Sequence, residues 1–247
     1  MTSQFPPTSW SVIYSLQDND PEVARRAISV LCEIYWSPLY AFVRCRGVES
    51  EAAKDLTQEF FLHLLQRETL AKADASKGRF RSFLLAAFRN FLSHERERAA
   101  AKKRSPRGPV LSLDSEDAER RYQRELADHL TPEDIYERRW AQVVAGRAWQ
   151  RLESEQKRSA NQQRFRKLGG YVLGEDAPVP YDQAANDLEM TVSAVKVAVH
   201  RLRREFGKWL RLEAISTLAD PSDADDEVRH ILHLIESSRT GLDGLRP

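Results

Sequence analysis

Residues 181–206 read YDQAANDLEMTVSAVKVAVHRLRREF, and the stretch parses as two helices around a tight turn. A short helix over Asp182–Leu188 presents Ala184, Ala185 and Leu188 inward, and the small alanines let a second helix cross closely. The chain turns at Glu189-Met190. Thr191 then stands where a hydroxyl can accept from the free N–H groups of a new helix. Val192, Val195, Val199, Leu202, Phe206 and Trp209 follow in steps of three and four, which makes one buried stripe. Ser193, Lys196, Val197, His200, Arg201 and Arg204 occupy the other side.

That layout is a helix-turn-helix, whose second helix enters the major groove N-terminus first. Ser193, Lys196 and Val197 lie near the helix start and can reach base edges. His200, Arg201 and Arg204 lie further back, where phosphates run. Thr191 and the helix N-terminus favour a phosphate oxygen. A basic amphipathic helix packed in a bundle, with solvated arginines, has the same pattern, so the motif alone leaves both readings open.

Outward from this stretch the chain keeps helical spacing, and no segment sustains period-two alternation. Glycine and proline cluster at joints: Pro6-Pro7, Pro21, Pro38, Ser105–Pro109, Thr131-Pro132, Gly169–Pro180 and Pro221. Val110–Leu113 and Tyr171–Leu173 are the only strand candidates, and both are very short. The expected fold is therefore all-α, with two helical domains joined by a flexible acidic linker. An N-terminal segment covers 1–20, a first domain 21–104, the linker 105–131, a second domain 132–217 and an acidic extension 218–247.

Two further patterns lie in the first domain. In AAKDLTQEFFLHLLQRETL, residues 52–70, Ala53, Leu56, Phe60, Phe61, Leu64 and Leu65 form a broad apolar face. Asp55, Gln58, Glu59 and Leu62 recur at i, i+3, i+4, i+7 on another, a ridge suited to a basic helical partner. A plain solvent face would have the same composition. In GRFRSFLLAAFRNFLSHERERAAAKKRSPRG, residues 78–108, Phe80, Phe83, Phe88 and Phe91 alternate with Arg79, Arg81, Arg89 and Asn90 before a Lys/Arg cluster. Cations interleaved with aromatics can grip unpaired DNA. Four aromatics at helical spacing mostly build core, so the exposed polar side chains are the functional candidates.

Charge follows the same division. The net charge of the 247 residues is +1, but 79–107 carry nine Arg/Lys against two Glu, and 192–211 carry six against one. Residues 114–137 carry nine acidic against three basic, and 213–236 seven against one. Two basic segments, each followed by an acidic one, fit separate anion-binding faces on a neutral chain. Cys32 and Cys45 lack any metal-ligand spacing and read as reduced packing thiols. The N-terminus lacks the basic start and apolar run of a signal peptide, and no apolar run approaches the ~20 residues of a membrane span. A soluble cytoplasmic protein with no metal or cofactor is expected. No Ser/His/Asp grouping or glycine-rich phosphate loop supports an enzyme such as a helical hydrolase.

Taken in order, "DLTQEFF", "GRFRSFLL…RNFL" and "AxxLxMTxxAVKxxxHRLRRxF" resemble the extracytoplasmic-function sigma factors of bacterial RNA polymerase. The resemblance spans roughly 25–104 and 140–212, and "YWSPLYAFVR" at 35–44 resembles the opening helix of that family's first domain. It implies a non-catalytic factor that binds the clamp coiled coil and flap of core polymerase and recognises promoter DNA. It implies polymerase contact at Asp55, Gln58, Glu59 and Phe60. It implies −10 contact at Arg89, Asn90, His94 and Arg96, with Lys102, Lys103 and Arg104 on the backbone. It implies −35 contact at Thr191, Ser193, Lys196, Val197, His200, Arg201 and Arg204. An anti-sigma regulator is a further partner that the family admits.

The chain departs from the family in three places. LGGYVLGEDAPVPY, residues 168–181, exceeds the usual compact connection. His94 stands near a position that is often Asp, and Val197 replaces a small polar residue. The extension lies beyond the resemblance. Its acidic run and the amphipathic Val228, Ile231, Leu232, Leu234 and Ile235 suit masking of the basic helix, binding of a regulator, or simple packing on the second domain. An ordinary helix-turn-helix regulator that dimerises and never touches polymerase is the competing expectation.

Overall fold

The computed structural model describes residues 9, 10, 12, 21–64, 74–101, 130–159, 161–172 and 179–237, and every regular element among them is helical. In chain order these are α1 (Pro21–Cys45), α2 (Ser50–Leu64), α3 (Phe80–Ala101), α4 (Pro132–Arg158), α5 (Gln162–Val172), α6 (Tyr181–Asp187), α7 (Val192–Ile215) and α8 (Ala224–Glu236). Two compact units divide the chain: residues 1–140 with 215–221, and residues 141–214 with 222–247. Residues 132–140 thus belong to the first unit. Lys102, Lys103, Arg104, most of the linker expected at 105–131, and Val110–Leu113 lie outside the described residues.

In the first unit α1, α2 and α3 pack against one another. α1 ends through Gly47, whose φ of 78° is the left-handed conformation that glycine adopts without penalty, and its N–H closes on the Arg44 carbonyl at 2.9 Å. The chain then starts α2, tied back by the Tyr40 and Ser50 hydroxyls at 3.0 Å. Aromatic rings fill the core: Phe60 lies 4.7 Å from Phe88 and 5.7 Å from Phe91, and Trp10 meets Phe80 edge-on at 5.2 Å. Each such pair adds roughly 0.5–1.5 kcal/mol beyond its buried area. Cys32 is buried in this core, and burial, with Glu33 nearby, pushes its thiol up to about 12. Both cysteines are free thiols.

Pro38, expected at a joint, lies inside α1. A proline there denies the Ile34 carbonyl its helical donor. The helix nonetheless runs through it, because both flanks are fully buried: Tyr35, Leu39 and Tyr40 are 0% exposed, and Trp36 stacks on Tyr40 at 5.1 Å. Tertiary packing outweighs the local break.

The first turns of α4 complete this unit. Thr131 caps them, its hydroxyl accepting from the Asp134 N–H at 3.1 Å and donating to the Asp134 carboxylate at 2.6 Å, with Pro132 at the first helical position. Arg81, read from sequence among the exposed cations, is only 3% exposed. Its Nε donates to Glu137 at 2.7 Å and its guanidinium lies 4.1 Å from the Trp140 ring centre. The buried Tyr136 hydroxyl donates to the Arg81 carbonyl at 3.0 Å.

The second unit is centred on Trp149 of α4, which meets Phe165 of α5 at 5.0 Å and Phe206 of α7 at 6.1 Å. Gly169-Gly170 and Tyr171-Val172, expected as a joint and a strand, belong to α5 instead. The reason is the close approach of Trp149: a Cβ on Gly169 would sit 3.1 Å from Cη2 of that ring. Arg203 of α7 caps the end of this helix, donating twice to the Tyr171 carbonyl at 2.7 and 3.2 Å.

Gly169→Val should therefore lower the stability of the second unit by about 2 kcal/mol, as overpacking does. Gly207→Ala, in α7 with nothing within 4 Å of the added carbon, should raise it by up to about 1 kcal/mol. Denaturant melts of the two variants read both signs, and equal signs would refute this account.

α8 buries Ala224, Glu227, Ile231 and Ile235, and its Asp225 pairs with Arg211 of α7. Of the acidic extension, α8 thus packs within the second unit, while 218–221 belong to the first. The exposed side chains of α7 named from sequence are left open by its described part.

Candidate functional site

The turn between α6 and α7 is built by one strained residue and one cap. Glu189 adopts φ 53°, a conformation uncommon outside glycine, and the Met190 N–H reaches back to the Ala185 carbonyl at 2.9 Å. Ala184 and Ala185 are buried at 2% and 3%. Thr191 caps α7 as its position implied, its Oγ1 accepting from the Ala194 N–H at 3.1 Å.

The buried stripe of α7 is Val195, Val199, Leu202, Phe206, Leu210 and Ala214. Two expected members differ. Val192, in the first turn, is 38% exposed. Trp209 is half-buried at the edge, its Nε1 donating to Glu155 at 3.0 Å. Leu210 and Ala214 continue the stripe one step round the helix.

The opposite face is open to solvent. Ser193, Lys196, Val197, His200, Arg201 and Arg204 are all exposed, with Val197 at 47% an isolated apolar contact among polar ones. Lys196 lies 5.8 Å from the Tyr181 ring centre. Such a strip offers hydrogen-bond donors, a methyl-sized apolar contact and positive charge along one side of a helix.

In the first unit, α2 carries the acidic ridge. Asp55 and Glu59 are exposed, Gln58 is half-buried, and Leu62 is 45% exposed beside them. Partial burial, then the neighbouring Glu95 and Asp55, raise the Glu59 carboxyl above its ordinary value, and Arg98 partly opposes them. Glu95 of α3 thus belongs to the cluster, although only the fold brings it there.

Phe60 departs from the expected polymerase-contact set. It is 0% exposed and packs under the ridge on Phe88 and Phe91, so it supports the surface and cannot touch a partner.

The sign of the Glu59 shift sets its pH dependence. A raised acid favours its neutral form in the folded state, so the penalty is absent below the ordinary carboxylate value and appears as pH rises through the raised one. Glu59→Gln should raise the melting temperature at neutral pH and leave it unchanged near pH ~3. A lowered melting temperature at neutral pH would show that Glu59 is instead held by a favourable contact.

On α3, Arg89, Asn90, His94 and Arg96 are exposed, while Phe80 and Phe88 are 0% and Phe91 6% exposed. The aromatics therefore build core and the polar side chains form the surface. Arg89 pairs with Glu133 of α4 at 3.4 Å, and His94 faces Glu97 at 3.7 Å. The Arg89–Glu133 ion pair is solvated, so it is worth at most about 1 kcal/mol and yields to a stronger anion.

Among the described residues no group of three or more His, Cys, Asp or Glu is placed to hold a metal, and no helix is long and apolar enough to cross a membrane. Compared with protein-family models, with curated proteins and with solved structures, the chain finds no match.

Proposed function

We propose that this chain is a transcription initiation factor of the extracytoplasmic-function sigma type, acting in the cytoplasm without a catalytic site. The observation that carries the reading is the open face of α7. Behind a capped N-terminus, six side chains suited to bases and phosphates are exposed, and the acidic α8 packs without covering them. In this reading α7 enters the major groove of a −35 element, Ser193, Lys196 and Val197 toward bases and His200, Arg201 and Arg204 toward phosphates.

Two surfaces of the first unit support initiation over DNA binding alone. Asp55, Gln58, Glu59 and Leu62 make an acidic ridge whose own charges repel, which a cationic helical partner such as the polymerase clamp relieves. Arg89, Asn90, His94 and Arg96 of α3 take the −10 strand, with Lys102, Lys103 and Arg104 following its backbone. Bound core polymerase sets the spacing at which the two DNA-contacting helices meet the promoter.

Run-off transcription with purified core polymerase on a genomic fragment library tests this reading. Promoter-specific transcripts and a complex with core are expected. A stable homodimer on a palindromic site, with neither transcripts nor a core complex, would place the chain among ordinary helix-turn-helix regulators.

A further inference from the structure

Within the second unit, α5 and the middle of α7 frame a groove of about 570 Å3 whose lining includes Arg164, Arg201, Arg204, His200 and Asn161. We propose that this groove seats a phosphate of the DNA strand running beside the recognition helix, with Arg164 as an anchor reached from outside the helix-turn-helix. The proposal rests on the DNA-binding reading of α7 and adds a contact from α5 to it.

Four other cations of α5 and α7 have partners of their own. Arg203 caps the Tyr171 carbonyl, Lys208 pairs with Glu205 at 2.8 Å, Arg211 pairs with Asp225, and Lys167 holds the Asp187 carbonyl at 3.0 Å. Arg164, Arg201 and Arg204 have no ion-pair or hydrogen-bond partner among the described residues, yet all three line one groove. Unpaired guanidinium groups repel one another, and an anion between them removes that cost while using their forked donors. Glu205, the acid at the groove, is held by Lys208.

Position selects the class of anion. Arg201 is ten residues beyond the Thr191 cap, about 15 Å along the axis. A helix entering the groove by its N-terminus therefore holds this level near the groove edge, where phosphates run. Phe165, 4% exposed and packed on Trp149, anchors the backbone beside Arg164. The backbone that carries Arg164 is thus set before DNA arrives. In the sequence Arg164 sits outside the helix-turn-helix, and only the crossing of α5 and α7 brings it in.

The test is fluorescence anisotropy of the full chain on a short mixed-sequence DNA duplex across a salt series. Arg164→Ala should weaken binding roughly tenfold and reduce the salt slope by about one. Arg158→Ala removes an equally unpaired arginine of the same unit that lines a different groove, and it should leave the slope unchanged. Arg164→Lys should recover most of the slope, which a merely structural role would not produce. If Arg164→Ala behaves like Arg158→Ala while Lys196→Ala still weakens binding, the groove proposal falls and the DNA-binding reading stands. If the unaltered chain binds no duplex at low salt, that reading has failed and the groove falls with it.

Discussion

Glu137→Ala should cost the first unit about 3–5 kcal/mol, and Arg81→Met should cost it far less. The asymmetry follows from which partner is deeper. Arg81 has a side-chain exposure of 3% and Glu137 of 27%. Removing the carboxylate leaves a buried guanidinium against the Trp140 face, and a cation–π contact offsets only part of the lost ion pair. Removing the guanidinium leaves a carboxylate that water can reach, and methionine refills much of the space over Trp140. Replacing a buried ion by an apolar side chain of similar volume is often nearly neutral. Guanidinium unfolding of the two variants decides the matter, and equal losses would mean that the pair stabilises by packing alone.

Helix faces were legible in the sequence because burial imposes a period of 3.6 residues on the chain. The buried alanines of α6 and the core phenylalanines of α3 followed from that period, and the Thr191 cap from a hydroxyl placed directly after the turn. What escaped it depends on partners far along the chain. Pro38 and Gly169 look like breaks until the burial of Tyr35 and Leu39 on either side of the proline and the close approach of the Trp149 ring to the glycine are known. Arg81 looks like one more surface cation until the first turns of α4 bring Glu137 and Trp140 to it. Phe60 is different: the period put it on the apolar face, where the structure buries it, and only the resemblance assigned it to polymerase contact. The acidic cluster itself was only half visible, since Glu95 joins it from another helix.

Asp55→Ala combined with Gln58→Ala should weaken capture by core polymerase at least about a hundredfold, the combined effect of two hot-spot truncations at about 1.4 kcal/mol per tenfold. Melting temperature should not fall with it. Asp55 is exposed and lies among the groups that push the Glu59 carboxyl upward. Its removal relieves repulsion in the free protein while stripping charge from the docking face. Binding and stability should therefore move in opposite directions, as expected when a surface holds like charges together for a partner. A structural role for the ridge predicts the reverse, a lower melting temperature with any loss of binding following from unfolding. The Glu59 shift adds a second readout. Its carboxylate takes up a proton at a higher pH than an ordinary glutamate does, so core binding should weaken as pH falls toward the carboxylate range, and Glu59→Gln should abolish this dependence. Interferometry on immobilised core polymerase, paired with thermal melts, measures both. Unchanged affinity in the double variant would remove the ridge from the polymerase interface.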